Sequence, residues 1–353
     1  MKKQDLILSC YKFLFYMRTN LQRNSSIEAL RFLTVFQICL WHMSYPFTAA
    51  GFLGVEFFFI LAGIFIYKTA VKPNGSGVFS WIINKLQKFY LKIVIALILT
   101  QTIYYEGFLS EFHENWLHPI LRLISELLML QSIGTFEPAI NCPTWFFATL
   151  IYGGALVYAL TKYYTKVSIR IVFPIIAISY FAYTFQNGTK ESLENWDIIG
   201  FIPLSLVRGI CEIGFGVVIG YIYFNYSNML LRYLKVLNVA AIISLILYLA
   251  IIIENRPFSQ YALIFIPILI CTALTQGSVF CKYLNGNIWI FLGALSFDIF
   301  IIHYPLIAIF RHFLLVSANL PLWLVAILYY ISLVPVGYMY NMLCAKIQKV
   351  LFQ

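Results

Sequence analysis

A chain of 353 residues in which 61% are hydrophobic and only 11% charged, with a mean hydropathy of +0.84, cannot hide its apolar surface as a soluble domain. Its length alone would suggest two or three soluble domains, but its repeated apolar runs read as one all-α polytopic integral membrane bundle. In that setting the formal charge of +10 reads as Lys and Arg retained on the cytoplasmic face, not as a surface for nucleic acid.

The first stretch, residues 1–24, has basic residues around a short apolar core that Lys12 interrupts. It is too short to span and lacks an A-x-A cleavage pattern, so an interfacial amphipathic helix on the cytoplasmic face is expected. Residues 25–353 then form a single transmembrane domain. About ten spans are expected, at roughly 27–46, 51–69, 89–105, 145–161, 170–185, 200–223, 236–253, 260–276, 288–310 and 321–343. With the N-terminus inside, 18 of the 24 Lys and Arg fall in cytoplasmic segments, and only Arg122, Lys190, Arg256 and Arg311 fall in outer ones. That sorting supports cytoplasmic N- and C-termini. A further span at 116–133 would invert everything after it, so this stretch is expected to be a re-entrant or surface helix on the outer side, with Arg122 and Glu126 paired at i,i+4. The 7 cysteines are scattered without a CxxC pair and imply neither a metal site nor a disulfide framework.

Function is carried by the ionisable residues left inside spans: Arg31, His42, Glu56, Arg208, Glu212, Asp298 and His303. Each costs about 2–4 kcal/mol or more in hydrocarbon unless it meets a polar cavity or a partner. Arg31 and His42 lie 11 residues apart in "LRFLTVFQICLWH", so they share a helix face about 16 Å apart along the axis. The guanidinium suits an anion such as phosphate and the imidazole suits a general base. The alternative is that Arg31 snorkels and His42 bonds a backbone carbonyl. If the first two spans form a hairpin, Glu56 comes close to His42 and could orient it, or it sits solvated at the outer interface. Arg208 and Glu212 at i,i+4 can neutralise each other, with Gly214, Gly216 and Gly220 allowing close helix approach. Ser296 and His303 share a face just before Pro305, where the histidine could instead bond to the broken turn. Lys85, Lys88 and Lys92 recur at helical spacing beside the membrane, where they fix topology or meet the phosphates of a nucleotide-bearing donor.

Taken in order, these stretches resemble the membrane-bound acyltransferase-3 family of O-acyltransferases. The likeness rests on R-x10-H from Arg31 to His42, the G-x-x-G-V-E-x-F-F block from Gly51 to Phe59, and "TWFF" from Thr144 to Phe147. It continues through Arg208–Glu212–Gly216–Gly220 and "SFDIFIIHYPL" from Ser296 to Leu306. Lysine stands at Lys85 and Lys88 where the family pattern has R-x-x-R, Ala62 stands where serine is common, and no glutamate stands within a few residues after Trp145.

What the resemblance implies is transfer of an acetyl or other short acyl group from acyl-CoA to a hydroxyl of a cell-surface polysaccharide or its lipid-linked precursor. His42 would be the general base and Arg31 its motif arginine, with Glu56 steadying the imidazolium. Arg31, Lys85, Lys88, Arg208 and His303 would contact the acetyl-CoA donor. No metal is expected, and the setting is the cytoplasmic (inner) membrane. The partners are the lipid bilayer, the donor and the glycan, with no nucleic acid, and a homo-oligomer is compatible with all of this. An acyl-enzyme through Cys39 or Ser44 lacks a nucleophile motif. A transporter or flippase of lipid-linked glycan or small metabolites is the rival, since buried charge serves such proteins too.

Overall fold

The computed structural model describes residues 23–43, 50–104, 110, 112–133, 139–187, 198–199, 202–254 and 256–351. Among these described residues there are eleven principal helices: α1 Ser25–His42, α2 Gly54–Ala70, α3 Val78–Ile103, α4 Leu117–Leu127, α5 Thr144–Tyr163, α6 Phe173–Asn187, α7 Leu204–Asn225, α8 Leu234–Glu254, α9 Ala262–Leu274, α10 Asn287–Ile309 and α11 Leu322–Leu351. A two-residue antiparallel pairing, Ile198–Ile199 with Ile202–Pro203, precedes α7. The all-α membrane bundle expected from composition is therefore the fold. Most of the expected interfacial segment 1–24, and Ser44, lie outside the described residues.

Among the described residues, seven helices are long and apolar enough to cross a membrane, beginning at Gly51, Thr144, Thr165, Leu204, Leu234, Asn287 and Leu322. Helices also occupy the other three expected places, but none of these is one of the seven. α1 carries Glu28, Arg31, Gln37 and His42, α3 carries a lysine ladder, and α9 has only 13 residues. α4, with 11 residues, is too short to span, as a surface or re-entrant helix requires.

Burial separates the centre from the rim. The apolar window of α2 is 78% buried, while those of α8 and α11 are each 28% buried and present their apolar faces outward, as lipid-facing helices do. α2 packs most extensively on α7, and α1 on α10. The α2–α7 crossing is a backbone contact. A β-carbon on Gly63 would strike the Ile213 carbonyl, and one on Gly216 would strike the carbonyl of Ile60. Small residues at such crossings let helices meet where side chains would hold them apart. The α1–α10 contact closes similarly, with Gly293 against Glu28.

α1 starts where it does because Asn24 caps it. Its side-chain oxygen accepts from the Ile27 amide at 3.1 Å, and its Nδ2 donates to the Ala273 carbonyl at 3.0 Å, tying the cap to the end of α9. Three helices are locked by a buried polar knot. Lys92 Nζ on α3 meets Asp298 Oδ1 on α10 at 2.5 Å, and Asn341 Nδ2 on α11 donates to Asp298 Oδ2 at 2.8 Å. Lys92 thus leaves the lysine ladder for a structural ion pair.

Candidate functional site

A cavity of about 620 Å³ opens among α1, α2, α3, α5, α7 and α10. Five cations, Arg23, Arg31, Lys68, Lys85 and Lys88, line it together with a single carboxylate, Glu28. Arg31 lends one nitrogen to that carboxylate at 2.8 Å, Lys85 lies over the Trp81 ring and Lys88 over the Phe89 ring. Burial, and after it the nearby Lys88 and Arg31 charges, push the Lys85 ammonium down to about 8. Lys88 is lowered for the same kind of reason, by burial first and then by Arg31 and Arg23. The rest of the lining is apolar and strongly aromatic. Phe58, Phe146, Phe147 and Phe300 meet with ring centroids 5.2–6.5 Å apart and form a wall. An anionic head with a slender apolar arm fits such a space.

The wall leads to the histidines. Phe300 lines the cavity, its ring centroid lies 5.8 Å from that of His303, and His303 lies 5.1 Å from His42. His42, at the last turn of α1, also neighbours Tyr304 at 6.0 Å and Trp41 at 4.6 Å, and its carbonyl accepts from Arg311 at 3.3 Å. Neither histidine is among the residues that line the cavity; His303 lies directly behind Phe300. Its Nδ1 lies 2.6 Å from the Phe300 carbonyl, the local bond expected of a histidine beside a proline-broken turn. Among the described residues no third His, Cys, Asp or Glu joins the pair in a metal-ligating group.

Glu56 and Arg208 stand together, away from the histidines. Glu56 does not turn to His42. Its carboxylate grips Arg208 on α7, with Nε donating to Oε2 at 3.1 Å and Nη2 to Oε1. Glu212, one turn after Arg208, reaches the same guanidinium at 3.5 Å as its spacing predicts, and accepts from the Tyr180 hydroxyl at 3.2 Å. All of these side chains are buried. A desolvated guanidinium needs carboxylate partners, and the glycine-mediated α2–α7 crossing delivers Glu56 to it. Arg208 thus joins this brace rather than the donor cavity. Cys39, weighed as a nucleophile, is fully buried in the core.

Glu126 went unnoticed as a site-building residue. It was expected to serve its helix neighbour Arg122, yet its carboxylate accepts from the Ile140 amide at 2.6 Å, the Asn141 amide at 3.2 Å and the Thr144 hydroxyl at 2.5 Å. Burial pushes this carboxyl upward, while the three hydrogen bonds pull against that shift. The positioned Asn141 then donates its Nδ2 to the Ile301 carbonyl at 3.1 Å. Pro305 lacks the N–H that would have served this carbonyl, so Asn141 mends the turn that holds His303. The only sequence signal was a carboxylate before a Pro-Thr helix start.

The described residues thus build an all-helical membrane bundle in which a cation- and aromatic-lined cavity lies beside a pair of neighbouring imidazoles. A family model described as an acyltransferase domain matches residues 24–342, and the chain belongs to the acyltransferase-3 family. No curated protein and no solved structure matches the chain. The class of activity is that of a membrane acyltransferase.

Proposed function

We propose that this protein is an integral-membrane O-acyltransferase of the cell (inner) membrane, with ten spans and both ends in the cytoplasm. In this reading it moves an acetyl or other short acyl group from acyl-CoA to a hydroxyl of a cell-surface polysaccharide or its lipid-linked precursor. The supporting observation is the cavity that pairs a cationic mouth at Arg31, Lys85 and Lys88 with an aromatic inner wall adjoining the histidines. The mouth takes the donor's phosphates, and the narrow interior takes the thioester arm. His42 removes the proton from the sugar hydroxyl as its oxygen attacks the thioester carbonyl, and as the C–S bond breaks that proton passes to the leaving thiolate. Glu56 and Arg208 act at a distance, as the brace that holds α2 against α7.

The test is thiol release from acetyl-CoA by purified protein with candidate glycans. Wild type is expected to turn over only with a glycan acceptor, and His42→Ala to lose about 10²–10⁴-fold in kcat while keeping its detergent melting temperature. Glycan-dependent turnover that survives in His42→Ala removes the base from His42. Glycan flux across vesicles without thioester consumption would replace the reading with a transporter.

A further inference from the structure

Proximity to Phe300 and His42 leaves His303 with a chemistry that the proposed function, on which this inference rests, does not use. The His303 side chain is completely buried. Its Nδ1 lies 2.6 Å from the Phe300 carbonyl oxygen, which can only accept, so in the neutral ring the proton sits on Nδ1 and Nε2 is a bare lone pair. That Nε2 is buried and has no hydrogen-bond partner among the described residues. A buried acceptor left without a donor is destabilising, so its persistence needs a reason. The His42 ring faces it, with centroids 5.1 Å apart and planes at 44°. The other groups described around His42 are the Trp41 and Tyr304 rings and the Arg311 guanidinium on the His42 carbonyl. None is a carboxylate, and Glu56 is bound to Arg208.

We propose that His303 is the positioning residue for His42. In the reacting state the adjacent His42 ring turns to donate one ring N–H to the open His303 Nε2, which fixes the His42 tautomer and leaves its other nitrogen as the lone pair that meets the hydroxyl. When His42 takes the hydroxyl proton, His303 stays the acceptor for the resulting imidazolium and keeps its own proton on the Phe300 carbonyl. The proton goes on from His42 to the thiolate. A neutral acceptor does here what a carboxylate does in hydrolase triads, without burying a second ion in the bilayer.

The experiment compares His303→Leu, which removes the acceptor, with His303→Gln, whose amide oxygen restores one. It measures kcat and KM for acetyl-CoA, melting temperature, and the ring-nitrogen NMR spectrum of histidine-labelled protein, which has only 5 histidines. His303→Leu is expected to lower kcat about 10²–10⁴-fold with KM within twofold, and His303→Gln to recover at least tenfold of that. His303→Leu should add nothing in a His42→Ala background. The His42 nitrogens should show one tautomer in wild type and a mixture in His303→Leu. The proposal is overturned by a kcat for His303→Leu near wild type, by a loss confined to KM, by a glutamine variant as inactive as leucine with both folded, or by a His42 tautomer indifferent to the substitution. If wild type turns over no glycan, the acyl-transfer reading fails separately, and the nitrogen spectra still decide the pairing.

Discussion

Lys85 occupies a position where the family pattern has arginine, and the exchange has a chemical consequence. A guanidinium stays charged at any working pH, whereas an ammonium responds to burial and to neighbouring cations. Lys85, which precedes the apolar part of α3, is pushed down to about 8 by burial, Lys88 and Arg31. Below that pH it is a cation at the cavity mouth, and above it is neutral. If Lys85 holds the donor phosphates as proposed, donor binding weakens as pH rises through about 8. KM for acetyl-CoA is expected to rise roughly three- to tenfold between pH 7 and 9, equivalent to as much as about 1.4 kcal/mol. Lys85→Arg should flatten that rise, and Lys85→Met should hold KM high at both pH values. A wild-type KM that is level from pH 7 to 9 would separate Lys85 from the donor phosphates.

At the scale of the helices, the α2–α7 crossing is the joint on which the interior depends. A methyl group at Gly216 would meet the Ile60 carbonyl and the Gly63 α-carbon, neither of which can move aside as a flexible side chain can. Overpacking of this kind destabilises by about 1–3 kcal/mol, and parting the helices would also loosen Glu56 from Arg208. Gly216→Ala is expected to lower the detergent melting temperature by several degrees, whereas Gly77→Ala, with nothing within 4 Å of the added carbon, should not. Equal melting of the two variants would show that the crossing tolerates separation.

The same joint marks where sequence reading stops. The helices were legible because apolar runs of a given length have few other solutions, and the lysines of the cavity were legible because Lys85 and Lys88 recur at helical spacing, whereas Arg31 reaches the same cavity from another helix. The i,i+4 contact of Arg208 with Glu212 was legible for the same reason. The Glu56–Arg208 pair was not, because its partners stand 152 residues apart and meet only through the backbone approach at Gly63 and Gly216. The Lys92–Asp298 pair, 206 residues apart, is of the same kind. Glu126 was paired with Arg122 by helix spacing, and the Arg122 charge does act on it; what spacing did not show is that the same carboxylate also holds the start of α5.

At the scale of the whole molecule, α1 sets a direction. Arg31 stands at the cationic mouth of the cavity, and His42 closes the same helix about 16 Å further along. Of the cavity's other basic residues, Arg23, Lys68, Lys85 and Lys88 belong to segments that charge sorting expects in the cytoplasm, and Arg311, bound to the His42 carbonyl, to one it expects outside. Under the proposed function and orientation, donor and acceptor would reach the histidines from opposite faces, with the aromatic wall around Phe300 between the cavity and His42. Sealed vesicles with the cytoplasmic face outward provide the measurement. Acetyl-CoA outside and a membrane-impermeant acceptor glycan trapped inside should give thiol outside and acylated glycan inside. Both substrates placed outside should give little turnover until detergent opens the vesicles. Efficient turnover with both outside and the vesicles intact would put the acceptor on the cytoplasmic face and break the link between the direction of α1 and the path of the acyl group.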